Sequence, residues 1–212
     1  MLFTGDTSMR LAVIPLAKKW QAFFLGSSLF MLCYLGAAYL GIAYAVPLAR
    51  LYPDHAVPFI SWTIWIYVSD YVFLPLAFFL VTKPEDYSGM LYSMAIATLI
   101  ACIIFIYYPT LMYREPLSDS PADSARALLY LIDLPTNCFP SLHVALSTLA
   151  AFFMCKQSKM WGIFAVIWAC LIAISTMTVK QHYFADVIGG ALLAVVALLA
   201  VRGLLRQPVK AE

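Results

Sequence analysis

Lys180-Gln-His-Tyr-Phe-Ala-Asp-Val-Ile-Gly-Gly-Ala-Leu-Leu-Ala-Val-Val-Ala-Leu-Leu-Ala-Val-Arg202 is the stretch that decides the fold. From Tyr183 onward it is apolar except for Asp186 and Arg202. Such a run has the ~20 residues that a helix needs to cross ~30 Å of hydrocarbon. At its start stand His182 and, one helical turn later, Asp186. The stretch therefore predicts a membrane helix with a polar site at one end.

The pattern repeats outward along the chain. Apolar segments run roughly over residues 21–48, 57–82, 89–112, 140–156, 160–179 and 183–203. The fourth is the shortest. The 212 residues are 64% hydrophobic and 11% charged, where a soluble domain carries about 25% charged residues. That leaves too little polar surface to coat a water-soluble globule. The expected fold is an all-α integral membrane bundle of six transmembrane helices, one domain over residues 1–212. No fixed-period repeat or low-complexity stretch interrupts it.

The N-terminal region does not read as a signal peptide. It opens with a polar stretch, Thr4 to Ser8, and the apolar run beyond Lys18 and Lys19 is too long for an h-region. That run is expected to remain as the first span. The five cysteines, 33, 102, 138, 155 and 170, show no CxxC or finger spacing, so neither a disulfide framework nor a zinc module is indicated. Cys138 alone lies outside an apolar run, and reads as a small loop residue more readily than as a reactive thiol. A net charge of +2 gives no sign of nucleic-acid binding.

Basic residues orient the six spans. With both ends on one side, that side holds Arg10, Lys18, Lys19, Lys83, Lys156, Lys159, Arg202, Arg206 and Lys210. The other holds only Arg50, Arg114, Arg126 and Lys180. Nine against four is a positive-inside bias. Both termini are then expected to be cytoplasmic, with the loops near 50–56, 113–139 and 180–182 outside. Trp20, Tyr52, Trp62, Tyr107, Tyr108, Tyr113, Trp161 and Tyr183 fit interfacial belt anchors. Short loops and the absence of plant or animal targeting signals point to a bacterial inner membrane.

The longest connection runs from Arg114 to Asn137. Its start is rich in turn formers. From Ser124 to Leu134, Ala127, Leu128, Leu131 and Ile132 recur at helical spacing, which predicts a short amphipathic helix between spans three and four. It could lie flat on the interface or roof a site.

Two histidines carry the chemical signal. His143 sits at the start of the fourth span, in Cys138-Phe-Pro-Ser-Leu-His143, and His182 at the start of the sixth. Both starts face the same side. Ionisable groups at membrane depth are costly and tend to be functional. His182 and Asp186, at i and i+4, share a helix face. The carboxylate can accept one imidazole N–H and leave the other nitrogen free as nucleophile or base. His143 is then available as a general acid. The Ser141-Leu142-His143 turn aims backbone N–H groups from a helix N-terminus, a ready anion site. Ser141 also suits a helix cap. Arg114 and Lys180 could complete a phosphate clamp. Asp70, inside the second span, needs a partner; it either bonds a tyrosine or serine or shapes an acceptor site. Asp54 and His55 read as an exposed outer loop. Gly189 and Gly190 suit close helix packing.

Phe139-Pro-Ser-Leu-His143 resembles the Pro-Ser-Gly-His motif of the type 2 phosphatidic acid phosphatase superfamily. Ser175-Thr176, five residues, His182, three residues and Asp186 resembles that superfamily's Ser-Arg-x5-His-x3-Asp motif. The likeness spans roughly residues 107–190. His182-Tyr183 and the replaced glycine look closest to the inositol phosphorylceramide synthase-like and sphingomyelin synthase-like branch. The resemblance implies that His182 attacks phosphorus to form a phosphohistidine, that Asp186 orients it, and that His143 protonates the leaving alkoxide and then activates the acceptor. Water as acceptor makes a lipid phosphatase; an alcohol makes a head-group phosphotransferase. It implies no metal or other cofactor.

The chain departs from the family in its cations. The first motif, Lys-x6-Arg-Pro, is broken: Tyr107 stands where the lysine belongs, and Glu115 separates Arg114 from Pro116. Thr176 replaces the third motif's arginine. Either Arg114 and Lys180 compensate, or the substrate is a less charged phosphodiester. Tyr183 and Thr176 stand as accessory positions.

Two other classes of function compete. A lipid transporter would need an ionisable path across the membrane, whereas these residues gather at one face. A haem or metal protein would place its histidines deep in the bundle, and these sit near its edge.

Overall fold

The computed structural model describes residues 11–202, and helix dominates them. Helix α1 spans Lys19–Gly41, with a 3-10 turn at each end. A two-residue strand β1, Val46–Pro47, and a short helix α2, Tyr52–Ala56, follow. Helices α3, Ile64–Val68, and α4, Asp70–Leu80, form one broken rod. Next come α5, Pro84–Tyr107, strand β2, Thr110–Leu111, and α6, Pro121–Ile132. Helices α7, Leu142–Cys155, α8, Lys159–Thr178, and α9, Phe184–Arg202, complete the described residues.

Among the described residues five stretches are long and apolar enough to cross a membrane: Leu16–Tyr44, Ser61–Leu80, Pro84–Tyr107, Lys159–Thr178 and Phe184–Arg202. The expected fourth span is not among them. Helix α7 has 14 residues, about 21 Å at 1.5 Å per residue. Residues Pro140 and Ser141 belong to the loop and cap before it, and Lys156 to the turn after it. The shortfall lies at one end. The far end of α7 is level with the start of α5, because Lys156 pairs with Asp86 and Thr82 N–H donates to Gln157 Oε1 at 3.3 Å.

The third span also differs from expectation. It starts at Pro84 and not near residue 89, because proline is pre-set for a first helical turn and Glu85 and Asp86 suit its positive end. It stops at Tyr107, ahead of Pro109. The second span breaks at Ser69, whose hydroxyl donates to Ile66 O at 2.6 Å and receives Trp168 Nε1–H at 2.8 Å. Such back-bonding bends helices.

Helix α7 is the hub, packed against α4, α5, α8 and α9. Ten of its residues are buried. Helix α1 buries only Lys19, Ala37, Ala38 and Gly41, so most of it faces outward. Alanines at the crossings, among them Ala97, Ala101, Ala145, Ala150, Ala194 and Ala197, let backbones approach closely where apolar burial alone gives little drive. Gly190 of α9 lies under the Ser141 carbonyl and Gly189 against the Phe139 ring; a methyl group at either would collide.

The three connections expected on one side do gather at one end. Strands β1 and β2 pair in parallel, Val46 opposite Thr110. Ile60 N–H donates to Thr178 O at 2.8 Å, and Met112 N–H to Pro135 O at 2.9 Å. At the opposite end Lys19 Nζ donates to Val81 O at 2.7 Å. Arg10, Arg206, Lys210 and the Thr4–Ser8 stretch lie outside the described residues.

Helix α6 starts at Pro121, three residues before the expected Ser124, because Ser120 caps it by accepting Asp123 N–H at 3.1 Å. Ala122, Arg126 and Leu129 point into the protein, and Leu128, Leu131 and Ile132 point out. Arg126 is fully buried. It donates to Asp123 Oδ1 at 2.6 Å and Glu115 O at 2.7 Å, and its guanidinium lies over Phe59 at 4.6 Å. Asp123 in turn accepts Ser61 Oγ–H at 2.6 Å. The pair clamps α6 onto the turn before α3.

Candidate active site

Two helix starts meet at the gathered end. Ser141 caps α7 by accepting Val144 N–H at 3.4 Å, and its own N–H donates to Asp186 O at 3.0 Å. The His143 turn is thereby seated on α9. His182 stands in the turn from α8 to α9. That turn needs Lys180 in the left-handed region, φ 56°, which costs a non-glycine residue strain. Gln181 N–H and His182 N–H then both donate to Thr176 O, at 2.9 and 3.0 Å.

Asp186 is fully buried. Its Oδ2 accepts Tyr183 N–H at 2.8 Å and lies 3.4 Å from His182 Nδ1. That arrangement leaves His182 Nε2 free. The rings of His143 and His182 are 5.9 Å apart between centroids. On its other side His143 meets Tyr67, with ring centroids 4.4 Å apart and the phenol oxygen 3.4 Å from Nδ1. Two imidazoles, one in the first turn of α7 and one in the turn before α9, thus flank one space, and the second is backed by a carboxylate.

That space opens two ways. A small polar hollow is lined by Arg114, Asp133, Asn137, Gln181, His182 and Tyr67. A long apolar cleft of about 620 Å³ runs between α1, α4 and α5 and ends at His143, His182 and Asp133.

The site residues expected from sequence fall into two groups. Arg114 joins the hollow. It donates to Asp133 O and to Tyr130 O, stacks on the Tyr130 ring at 4.1 Å, and keeps a buried Nε without a partner among the described residues. Ser141 and Leu142 stand at the α7 start. Asp70 lines the cleft. Lys180 turns away: its ammonium donates to Val57 O at 2.6 Å and Asp54 O at 3.2 Å, and it does not line the hollow. Burial pushes that ammonium below its ordinary value, and nearby Arg50 adds to the effect. The Thr176 hydroxyl donates to Ala173 O, so only the Thr176 carbonyl serves the His182 turn. Tyr183 is buried and its phenol oxygen accepts Arg50 Nε–H at 3.0 Å. It is therefore not a lipid-facing belt anchor. Cys138 is buried, which pushes its thiol up and away from reactivity.

Asp54 is buried, where an exposed loop residue was expected. Its Oδ1 accepts Phe184 N–H at 2.6 Å, the first helical N–H of α9, and its Oδ2 accepts Leu51 N–H at 2.7 Å. Sequence reading also missed Tyr67, Asp133 and Tyr34. Tyr34 O–H donates to Asp133 Oδ1 at 2.7 Å, while burial pushes the Asp133 carboxyl above the usual range. The only signal for Asp133 is a carboxylate set between Ile132 and Leu134.

A family model described as PAP2 superfamily matches residues 37–200, well beyond the motif region at 107–190. A comparison with curated proteins gives no match.

Proposed function

The chain belongs to the PAP2 superfamily, and we propose that it is a membrane lipid phosphatase that hydrolyses a lipid phosphate or diphosphate through a phosphohistidine. Family membership suggests phosphatase or phosphotransferase activity on a phosphate-bearing substrate. The observation that carries the reading is the flanking pair of imidazoles, 5.9 Å apart, at one end of an apolar cleft. Such a cleft suits lipid chains, and the polar lining of the small hollow beside it suits phosphoryl oxygens.

In the proposed reaction His182 Nε2 attacks phosphorus and the lipid alkoxide leaves with a proton from His143. Water then gives a proton to His143, attacks the phosphohistidine, and releases phosphate and free His182. Asp186 holds Nδ1–H and balances the charge that develops on the ring. Arg114 and the α7 N-terminus would receive the phosphoryl oxygens. The charge asymmetry supports a site on the outer face and cytoplasmic termini, and the short loops and absence of plant or animal targeting signals support a bacterial inner membrane.

A second reading is head-group transfer to an alcohol. Lys180 is engaged by two carbonyls and Thr176 stands in the motif arginine's place. Arg114 is thus the one candidate cation that lines the hollow. Few cations suit a phosphodiester donor better than a dianionic monoester. The synthase-like branch of the resemblance points the same way.

The test uses the purified chain in detergent with a panel of lipid phosphates, with and without an alcohol acceptor. Phosphate release and the mass of lipid products separate the two readings. His182→Ala should abolish both products while the protein keeps its elution profile and melting behaviour. Phosphate release undiminished in that variant would overturn the phosphohistidine route.

A further inference from the structure

The two imidazoles of the site are backed by different chemistry. His182 Nδ1 faces the buried carboxylate of Asp186 at 3.4 Å. His143 Nδ1 faces a neutral hydroxyl, that of Tyr67, also at 3.4 Å. Among the described residues this is the one hydrogen-bond partner of the His143 ring. The reaction proposed above gives Tyr67 no part. Yet Tyr67 is 1% exposed, its ring lies 4.4 Å from the imidazole with a 34° tilt, and it lines the polar hollow together with Arg114 and His182.

The phenol is held from both sides. It stands on the five-residue helix α3, and each end of α3 is tied to α8, the helix that leads into the His182 turn. Before α3, Thr63 Oγ1 and Thr178 Oγ1 share a hydrogen bond of 2.7 Å. After it, Ser69 Oγ receives Trp168 Nε1–H at 2.8 Å. Ile64, Val179 and, from α6, Ala122 and Leu129 form one apolar cluster with Tyr67. The 3.4 Å contact is long, but catalytic hydrogen bonds are often long in a free enzyme and tighten in the complex.

The two partners suit opposite tasks. A carboxylate beside an imidazole favours the charged ring. That helps a nucleophile, whose ring gains positive charge as it bonds to phosphorus. An acid needs the reverse, because its proton must leave. A phenol oxygen can accept Nδ1–H without bringing a negative charge, and Nε2 then carries the proton to be given. As the P–O bond breaks, Nε2–H passes to the leaving alkoxide, and His143 is left neutral with Nδ1–H still on the phenol. In the second step Nε2 takes a proton from the attacking hydroxyl while the P–N bond to His182 breaks. One tautomer serves both steps, and the ring does not turn.

We propose that Tyr67 is a positioning residue for His143: its phenol oxygen holds Nδ1–H, so that Nε2 faces the reacting oxygen and the ring remains a ready proton donor. The inference rests on the role proposed for His143 and deepens it, yet the tautomer can be read without turnover.

The experiment uses the full chain in detergent, with its histidines labelled with the heavy nitrogen isotope. There are three of them, so His55→Ala, His143→Ala and His182→Ala assign the nuclear magnetic resonance signals. At about pH 8, where an ordinary imidazole is neutral, His143 should carry its proton on Nδ1. Tyr67→Phe should shift it toward Nε2–H, the form that free histidine prefers, while the His182 ring keeps its pattern. Release of the leaving group is then timed in single turnovers. One substrate is an alkyl lipid phosphate that the unmutated chain cleaves, the other para-nitrophenyl phosphate, whose anion leaves without a proton. Tyr67→Phe should slow the first by about tenfold or more, a part of the ~10²–10⁴-fold contribution of a general acid, and the second by less than about twofold. Added to His143→Ala, it should cost nothing further. A His143 ring pattern unmoved by Tyr67→Phe, equal slowing of both substrates, or a further loss on top of His143→Ala would overturn the proposal. A tautomer that depends on Tyr67, in a chain that cleaves neither substrate, would leave the contact standing and sink the phosphatase reading.

Discussion

His182, in the turn before α9, is positioned by atoms of three separate elements. Thr176 O fixes its backbone, Asp186 faces its ring, and Asp54 caps the helix that carries Asp186. Removing the general acid should lower kcat by roughly 10²–10⁴-fold, so His143→Ala should fall in that range in a single-turnover assay, with lipid binding retained. Asp54→Ala leaves Phe184 N–H and Leu51 N–H without their acceptor. It should cost about 1 kcal/mol of stability, the usual loss of an N-cap, read as a lower melting temperature in detergent. Rescue by Asp54→Asn would support capping over charge. His182, Asp186 and His143 were legible because two of them share one helical turn and the third sits in a compact motif. Tyr67 and Asp133 were not. Their contacts, with His143 and Tyr34, join residues 76 and 99 positions apart, and nothing local marks them. The engagement of Lys180 was hidden for the same reason: its carbonyl partners lie on a different loop, more than 120 positions away.

At the scale of elements, span boundaries were legible to within a few residues wherever proline or a cap marked them. Hydropathy alone slid the third span five residues along the chain, because apolar residues continue past Tyr107 while the helix does not. It also credited α7 with a full crossing. Helix α6 shows what composition misses: its polar face is a buried ion pair. Asp123 is held well below the usual carboxylate range by the Ser118 and Ser61 hydroxyls and by Arg126. A group whose folded value is lowered stabilises above its unfolded value, near ~3.9 for Asp, and loses that contribution as pH falls below it. Melting temperature should therefore hold from neutral pH to about pH 5 and drop below about pH 4, and Asp123→Asn should flatten that drop. Arg126→Met would leave a buried carboxylate unpaired, at a cost of roughly 3–5 kcal/mol. Gly190→Ala tests the seat of α7 on α9. Its methyl group would meet the Ser141 carbonyl, and overpacking of this kind costs about 1–3 kcal/mol, so both the melting temperature and kcat should fall.

The molecule as a whole is a bundle wrapped around the 14-residue α7. Helix α7 falls about 9 Å short of a ~30 Å hydrocarbon slab, and its far end is level with α5. The missing length is therefore on the side of the histidines, below the reach of α1, whose helical stretch runs 29 residues. Thinner bilayers should bring the site nearer to bulk water. Turnover with water as acceptor should rise in short-chain vesicles relative to long-chain ones, and transfer to a lipid alcohol should show the opposite trend. The recess has a consequence for the chemistry itself. On the proposed mechanism one phosphohistidine awaits whichever hydroxyl arrives, and both candidates reach it through a medium where water is scarce and lipid is the solvent. Hydrolysis and transfer would then differ by partitioning, as two solutes compete for an organic phase, and the same three side chains could serve either outcome without a single catalytic atom being moved.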